Sequence, residues 1–426
     1  MALLLSILFL AGGCTDNASQ KTDLAGIYEG DFTRGNFSTP IQFEIKKDSL
    51  AHAVYFTSPD QNAYGIPTSK VRSSADSIYF ELNSDYFSFK FNNKLSEDGG
   101  ELHGRLKVDS VSQPYILKRV DAATEPGFRQ EEVAFESNGL TLAGTIYFPA
   151  RPTDKAIYFI TSSGNSDRSA TRAEAIAFAE HGYVAFHIDK RGTGASEGDW
   201  QNSTIEDLAT DDMNAIKFLT GKLDLPLRNI GVKGSSQGGT KVPYILSKME
   251  DLAYGIVVSC PSTTLLESDL NYWKNQNRPL IGDLHFKDAL ALERLVYQYI
   301  GGMISLETLT DAIAKSKDEA WFSQVWIPNL EEVAIDTKLQ YSPMPYFERT
   351  RQPLLILQGT KDEIIPEESS SAIYSVLNDR QNSKAVLLAD ANHSMQLVEN
   401  SDFPYWPMPH PDYLPTIFKW LEGLSF

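Results

Sequence analysis

Six nearly unbroken apolar runs constrain this chain more than any other feature. They are "AIYFITSS" (156–163), "YVAFHIDK" (183–190), "IGVKGSS" (230–236), "YGIVVSC" (254–260), "PLLILQG" (353–359) and "KAVLLAD" (384–390). Runs of this kind fit strands covered on both faces of a mainly parallel sheet. Helical patterns separate several of them. "SATRAEAIAFAEHG" opens on cap-type residues and stops at Gly182. "STIEDLATDDMNAIKFL" sets Ile205, Leu208, Ile216 and Leu219 along one side, with acidic residues near its start. Ahead of the first run, "EEVAFES" and "LTLAGTIYFP" read as a strand pair. The alternation of strand and helix predicts an α/β architecture over residues 131–426. Residues 261 to about 350 break that rhythm with helical, aromatic sequence holding Trp273, Trp321 and Trp326. An insertion between two sheet strands reads as a lid, because loops at the carboxyl ends of such strands build the site.

Residues 24–120 have a different period. "IQFEIKK" sets Ile41, Phe43 and Ile45 against Gln42, Glu44 and Lys46, and "YFSFKF" sets Phe87, Phe89 and Phe91 on one face. Turn signals such as Ser58-Pro59-Asp60 and Glu97-Asp98-Gly99-Gly100 separate these stretches. About eight short alternating strands predict a small antiparallel barrel or sandwich. A barrel of that size is usually filled by its own side chains. Residues 121–130 read as a linker between the two domains.

The chain begins "MALLLSILFLAGGCTDNASQ". Residues 2–11 are apolar but too short to span a bilayer, and 1–13 match a signal peptide. Ala11, Gly12 and Gly13 run into Cys14, which resembles a bacterial lipobox. Ala11 stands where Leu is usual, and no Lys or Arg precedes the apolar run. A lipidated Cys14 implies an exported envelope protein held to a membrane by acyl chains alone, with residues 14–23 as tether.

The formal charge of −18 is a poor match for nucleic acid. Cys14 and Cys260 are the two cysteines. They permit no disulfide framework, and neither CxxC nor HExxH occurs, so no metal and no cofactor are expected. Nothing in the pattern fixes an oligomeric state.

Two serines sit together in "IGVKGSSQGGT". Gly-x-Ser-x-Gly fits in one frame only, with Gly234, Ser236 and Gly238 at the fixed positions. Glycines two before and two after the serine let a strand reverse sharply into a helix. The hydroxyl then stands exposed at a helix N-terminus that favours developing negative charge. A serine needs a base to take its proton, and the base needs an orienting carboxylate. In a strand–turn–helix architecture of this kind the chain order is Ser, acid, His. His285 falls in the insertion and His410 in a proline-rich loop, whereas His393 follows a buried run and is the candidate base. Asp362 follows "PLLILQG" and a turn, and is preferred as the acid over Glu363 and Asp390. Cys260 reads as a core residue, since nothing beside it would lower a thiol pKa.

Taken with two further stretches, these residues are similar to a known family. "ITSSGNSDRS" resembles the oxyanion loop of bacterial α/β-hydrolases, and "IDKRGTGASEGD" resembles their D-x-R-G-x-G-x-S segment. "GSSQGG", "GTKDEIIP" and "NHS" complete the set. The chain from about 131 to 426 therefore looks like an α/β-hydrolase of the esterase, dienelactone-hydrolase-like or prolyl-oligopeptidase-like kind. The resemblance implies a catalytic triad of Ser236, Asp362 and His393, with the backbone amide of Gln237 as one oxyanion donor. Thr161-Ser162 stand where His-Gly is usual. Alignment on Gly164, Asp167 and Arg168 puts the second donor at the Ser163 amide, with Ser162 and Gly164 as alternatives. Asp167, Arg168, Asp189 and Arg191 read as braces of their loops. The expected reaction is hydrolysis of a carboxylic ester of a small or medium acyl substrate through an acyl-enzyme. The runner-up is a serine peptidase for short peptides. A non-catalytic ligand-binding lipoprotein is the reading of another class, and the intact Ser, Asp and His argue against it.

Overall fold

The computed structural model describes residues 23–48, 51–84, 87–377, 382–397, 402–406 and 408–424. The signal segment 1–13, Cys14 and the tether as far as residue 22 lie outside the described residues. The chain forms two compact units, divided between Thr124 and Glu125.

In the first unit, nine strands are present among the described residues. They are β1 (Gly26–Arg34), β2 (Phe37–Lys47), β3 (His52–Ser58), β4 (Ala63–Pro67), β5 (Ser69–Ser73), β6 (Ser77–Asn83), β7 (Ser88–Leu95), β8 (Glu101–Val108) and β9 (Val111–Val120). They form one sheet in the order β4-β3-β2-β1-β9-β8-β7-β6-β5, with antiparallel pairing throughout. β3 also lies against β5, so the sheet curls until it is nearly closed. Period-two sequence drives this shape. In β7, Phe89, Phe91, Asn93 and Leu95 are buried while Lys90, Asn92 and Lys94 are exposed. The interior is filled with rings. Phe43 meets Phe80 and Phe91 edge-on at centroid distances of 4.9 and 5.2 Å, and Phe80 stacks on Phe91 at 5.1 Å. Such pairs add about 0.5–1.5 kcal/mol each beyond area burial.

The second unit is built on β10 (Phe128–Ser137), β11 (Leu140–Pro149), β12 (Ala156–Phe159), β13 (Val184–Ile188), β14 (Ile230–Ser235), β15 (Tyr254–Val258), β16 (Leu354–Gly359) and β17 (Lys384–Leu388). The sheet order is β10-β11-β13-β12-β14-β15-β16-β17. β10 and β11 pair antiparallel, β11 pairs antiparallel with β13, and every pairing from β13 to β17 is parallel. The apolar runs are the central strands: every residue of β12, β13, β15 and β16 is buried. β10 begins at Phe128, inside the segment the sequence reads as linker, where Phe128 pairs with Pro149 and packs on Tyr147.

Helices α1 (Arg172–Glu180), α2 (Ile205–Leu223), α3 (Gln237–Lys248), α4 (Leu265–Ile281), α5 (Asp283–Ile300), α6 (Leu306–Ser316), α7 (Met344–Phe347), α8 (Ser369–Val376) and α9 (Tyr413–Glu422) complete this unit. α2 starts at a capping box: the Asp207 N–H donates to the Thr204 hydroxyl and the Asp207 carboxylate accepts from the Thr204 N–H. None of the described helices is long and apolar enough to cross a membrane.

The insertion between β15 and β16 has a core of its own, in which Leu266, Leu270, Trp273, Leu292 and Val296 are buried together. Trp321 is buried there too, whereas Trp326 is exposed. That core encloses the carboxylate of Glu293. Glu293 is fully buried; its Oε2 accepts the Trp326 N–H at 2.9 Å, and its Oε1 has no partner among the described residues. Burial raises the Glu293 pKa to about 7 from 4.5, opposed by the Trp326 N–H. The folded protein therefore keeps a proton that the unfolded chain has released, and stability falls as pH rises from about 4.5 to about 7. At 1.36 kcal/mol per unit this amounts to at most about 3 kcal/mol. Glu293→Gln is expected to flatten that slope and to stabilise the protein at pH 8. Urea melts of both proteins at pH 5 and pH 8 check it; equal slopes would contradict it.

Candidate active site

The site begins where β14 turns into α3. Ser236 has φ 53° and ψ −125°, a region that costs an ordinary residue about 1–3 kcal/mol. The surroundings enforce it. The Ser236 N–H donates to the Val258 carbonyl at 2.9 Å, tying the turn to the end of β15. A Cβ on Gly234 would lie 2.3 Å from the Gly238 carbonyl oxygen, and one on Gly238 would lie 3.0 Å from that of Thr161. Only glycines allow strand and helix to close this tightly. Ser235 is engaged elsewhere: its hydroxyl accepts from Lys233 Nζ at 3.2 Å, and the same ammonium pairs with Glu174 at 2.6 Å.

Asp362 follows β16 and His393 follows β17. His393 Nδ1 lies 2.9 Å from Asp362 Oδ1 and 3.1 Å from Oδ2. The carboxylate is buried, 1% exposed against 16% for the imidazole. Asp362 Oδ1 also accepts the N–H groups of Ile364 and Ile365 at 3.0 and 2.9 Å. These bonds fix the carboxylate plane before it meets the ring. With Nδ1 donating to it, Nε2 is left as the acceptor. The two loops are stitched together by Lys361 N–H donating to the Ala391 carbonyl at 2.9 Å. The Ser259 hydroxyl donates to the His393 carbonyl at 2.8 Å. The end of β15 thus holds Ser236 through Val258 and His393 through Ser259. The competing acids have other roles. Glu363 accepts the His393 backbone N–H at 3.4 Å, and Asp390 is exposed, with its own N–H on the Thr360 hydroxyl at 2.8 Å.

The loop after β12 packs against the turn. The Ser162 hydroxyl donates to the Ser235 carbonyl at 3.0 Å and lies 3.5 Å from the Gly238 nitrogen. Neither the Gln237 N–H nor the Ser163 N–H has an acceptor among the described residues. Beneath this loop is a buried ion pair. Lys241 Nζ and Asp212 Oδ2 are 2.6 Å apart, with both side chains at 0% exposure. Asp212 also accepts from the Tyr158 hydroxyl at 2.7 Å and the Thr161 N–H at 3.2 Å. Asp189 accepts the N–H groups of Arg168 and Ala195, Arg191 pairs with Asp211, and Asp167 accepts the Ser169 N–H, so all of these brace loops.

Other sequence candidates lie apart from this chemistry. His410 is buried, its Nε2 on the Ala389 carbonyl at 3.0 Å and its N–H on the Met395 carbonyl, where it steadies the His393 loop. His285 is in the first turn of α5. Cys260 is buried, and burial pushes its thiol pKa well up. Phe403 and Trp406, in "FPYWPMP", are buried as well. Among the described residues no cluster of three His, Cys, Asp or Glu could hold a metal ion. The sequence reading passes over Lys190, Asp212 and Lys241. A charged residue closing an apolar run, as in "FHIDK", or inside a buried helix face, as in "TKVPY", is the signal that could have found them.

The sheet order, the turn at Ser236 and the helical insertion define an α/β-hydrolase fold. The chain belongs to the X-Pro dipeptidyl-peptidase (S15) family, whose model matches residues 138–395, more than half of the chain. No curated protein matches it. Among solved structures it is similar to the esterase Pf2001 of Pyrococcus furiosus, with 16% identity and a TM-score of 0.45 over 72% of this chain and 96% of that one. It is also similar to Est1E of Butyrivibrio proteoclasticus, solved with ferulic acid bound, with 16% identity and a TM-score of 0.43 over 68% of this chain and 98% of that one.

Proposed function

We propose that the protein is a serine hydrolase that cleaves carboxylic esters through an acyl-enzyme. The observation that carries this reading is the His393–Asp362 pair at 2.9 Å, tied through β15 to a serine held at positive φ. In this reading Ser236 Oγ attacks the acyl carbon while His393 Nε2 takes its proton. The oxyanion is held by the Gln237 and Ser163 amides, whose N–H groups are uncommitted. His393 then protonates the leaving group, and water repeats the sequence on the acyl-enzyme. No step draws on a metal or cofactor. The family match favours a second reading, cleavage of short peptides by the same residues.

A panel of 4-nitrophenyl esters and dipeptidyl 4-nitroanilides separates the two, together with fluorophosphonate labelling mapped to its residue. Ester turnover with label on Ser236 is the expected result. Turnover of anilides alone would favour the peptidase, and label on another residue would overturn both.

A further inference from the structure

Lys190 lies two residues beyond β13 and is 2% exposed. Among the described residues no carboxylate reaches it. Its Nζ donates to the Ser162 carbonyl at 2.8 Å and, more closely, to the Gly164 carbonyl, and it sits 4.5 Å from the centre of the Trp200 ring. A buried ammonium is costly without a counter-ion. This one is spent on two carbonyls of the loop that packs against Ser235 and Gly238.

The orientation follows from peptide geometry. In a trans peptide the carbonyl of one residue and the N–H of the next point in opposite directions. Drawing the Ser162 carbonyl onto Lys190 therefore turns the Ser163 N–H away from it, and the Ser162 hydroxyl fixes the same residue to the turn at Ser235. We infer that Lys190 is a positioning residue for the oxyanion hole, holding the Ser162–Ser163 peptide so that its N–H faces the developing negative charge. The inference rests on Ser236 being the nucleophile.

The same lysine gives the site a pH response. Burial, and then Lys241 of α3, lower its pKa to about 8; Lys338 adds to that, and Asp212 of α2 opposes it. The charged form prevails below that value and is lost above it. Wild-type kcat should therefore fall as pH rises through about 8.

The test compares wild type with Lys190→Met, using 4-nitrophenyl acetate as substrate. Trifluoroacetophenone serves as inhibitor, because Ser236 Oγ adds to its carbonyl carbon, the hydroxyl proton passes to His393, and the carbonyl oxygen becomes an oxyanion. The expected result is a kcat lower by about 10–100-fold, part of what a lost donor costs. KM should stay within threefold, inhibition should weaken by the same factor as kcat, and the alkaline limb should be absent. A kcat within threefold of wild type overturns the inference, and so does a fall in kcat with unchanged inhibition. Lys190→Leu, which likewise has no donor, is held to the same two readouts if Lys190→Met does not fold. Failure of trifluoroacetophenone to inhibit wild type, or full turnover by Ser236→Ala, strikes instead at the reading of Ser236.

Discussion

Ser236→Ala is expected to lower kcat by about 10⁶-fold, and Asp362→Asn by about 10⁴-fold. The two losses arise differently. In the proposed mechanism, removing the hydroxyl removes the group that forms the acyl bond, and what remains is binding and the oxyanion donors. Asp362→Asn keeps the shape. Its carbonyl oxygen should stay where the Ile364 and Ile365 N–H groups already hold Oδ1, at 3.0 and 2.9 Å. The amide NH₂ then takes the place of Oδ2, 3.1 Å from His393 Nδ1. A donor facing Nδ1 pushes the ring proton to Nε2, the atom that accepts from Ser236 in the proposed mechanism. The base is present, correctly placed, and in the wrong tautomer. The double variant should be no slower than Ser236→Ala alone, because the residues act as one unit. Active-site-titrated kcat on the best ester of the panel measures this. Additive losses would mean that Asp362 acts apart from Ser236, and equal rates for wild type and Asp362→Asn would remove Asp362 from the mechanism.

What sequence made legible was whatever leaves a one-dimensional trace. Buried parallel strands read as apolar runs, and Gly234-Ser235-Ser236-Gln237-Gly238 reads as a turn in one frame only. Asp362 and His393 each follow a run that ends at the same edge of the sheet, and their contact at 2.9 Å follows from that placement. Alternation gave the first unit as a small barrel or sandwich, but the closeness of β3 and β5 depends on the accumulated curl of nine strands, which no local pattern encodes. The start of β10 at Phe128 was hidden by "DAATEPGFRQ", since its partner Pro149 stands 21 positions away. The charged groups under the loop were hidden for a stronger reason. Lysine and aspartate are read as surface residues by composition, and only the fold brings Lys241 of α3 to Asp212 of α2 or sets Lys190 beneath Ser162.

That buried pair carries the largest expected effect on stability. Asp212→Ala should destabilise the second unit by about 3–5 kcal/mol, because it leaves an ammonium uncompensated in the interior. Burial lowers the Lys241 pKa, and Asp212 is the first of the groups opposing that shift. With the carboxylate gone, Lys241 can shed its proton, which limits the cost but leaves a buried amine among groups arranged for an ion. The Tyr158 hydroxyl and the Thr161 N–H lose their acceptor in the same step. Asp212→Leu with Lys241→Met replaces both charges by apolar groups of similar size, and such exchanges are often neutral or better. The double variant should therefore be more stable than Asp212→Ala, although the Tyr158 hydroxyl and the Thr161 N–H still lack the acceptor that Asp212 supplied. Because Thr161 is two residues before Ser163, the double variant should fold and yet turn over ester more slowly than wild type. Urea unfolding, followed through the transition that abolishes activity, separates the two effects. A double variant as unstable as the single one would show that hydrogen bonds to Tyr158 and Thr161, rather than charge, dominate at this position.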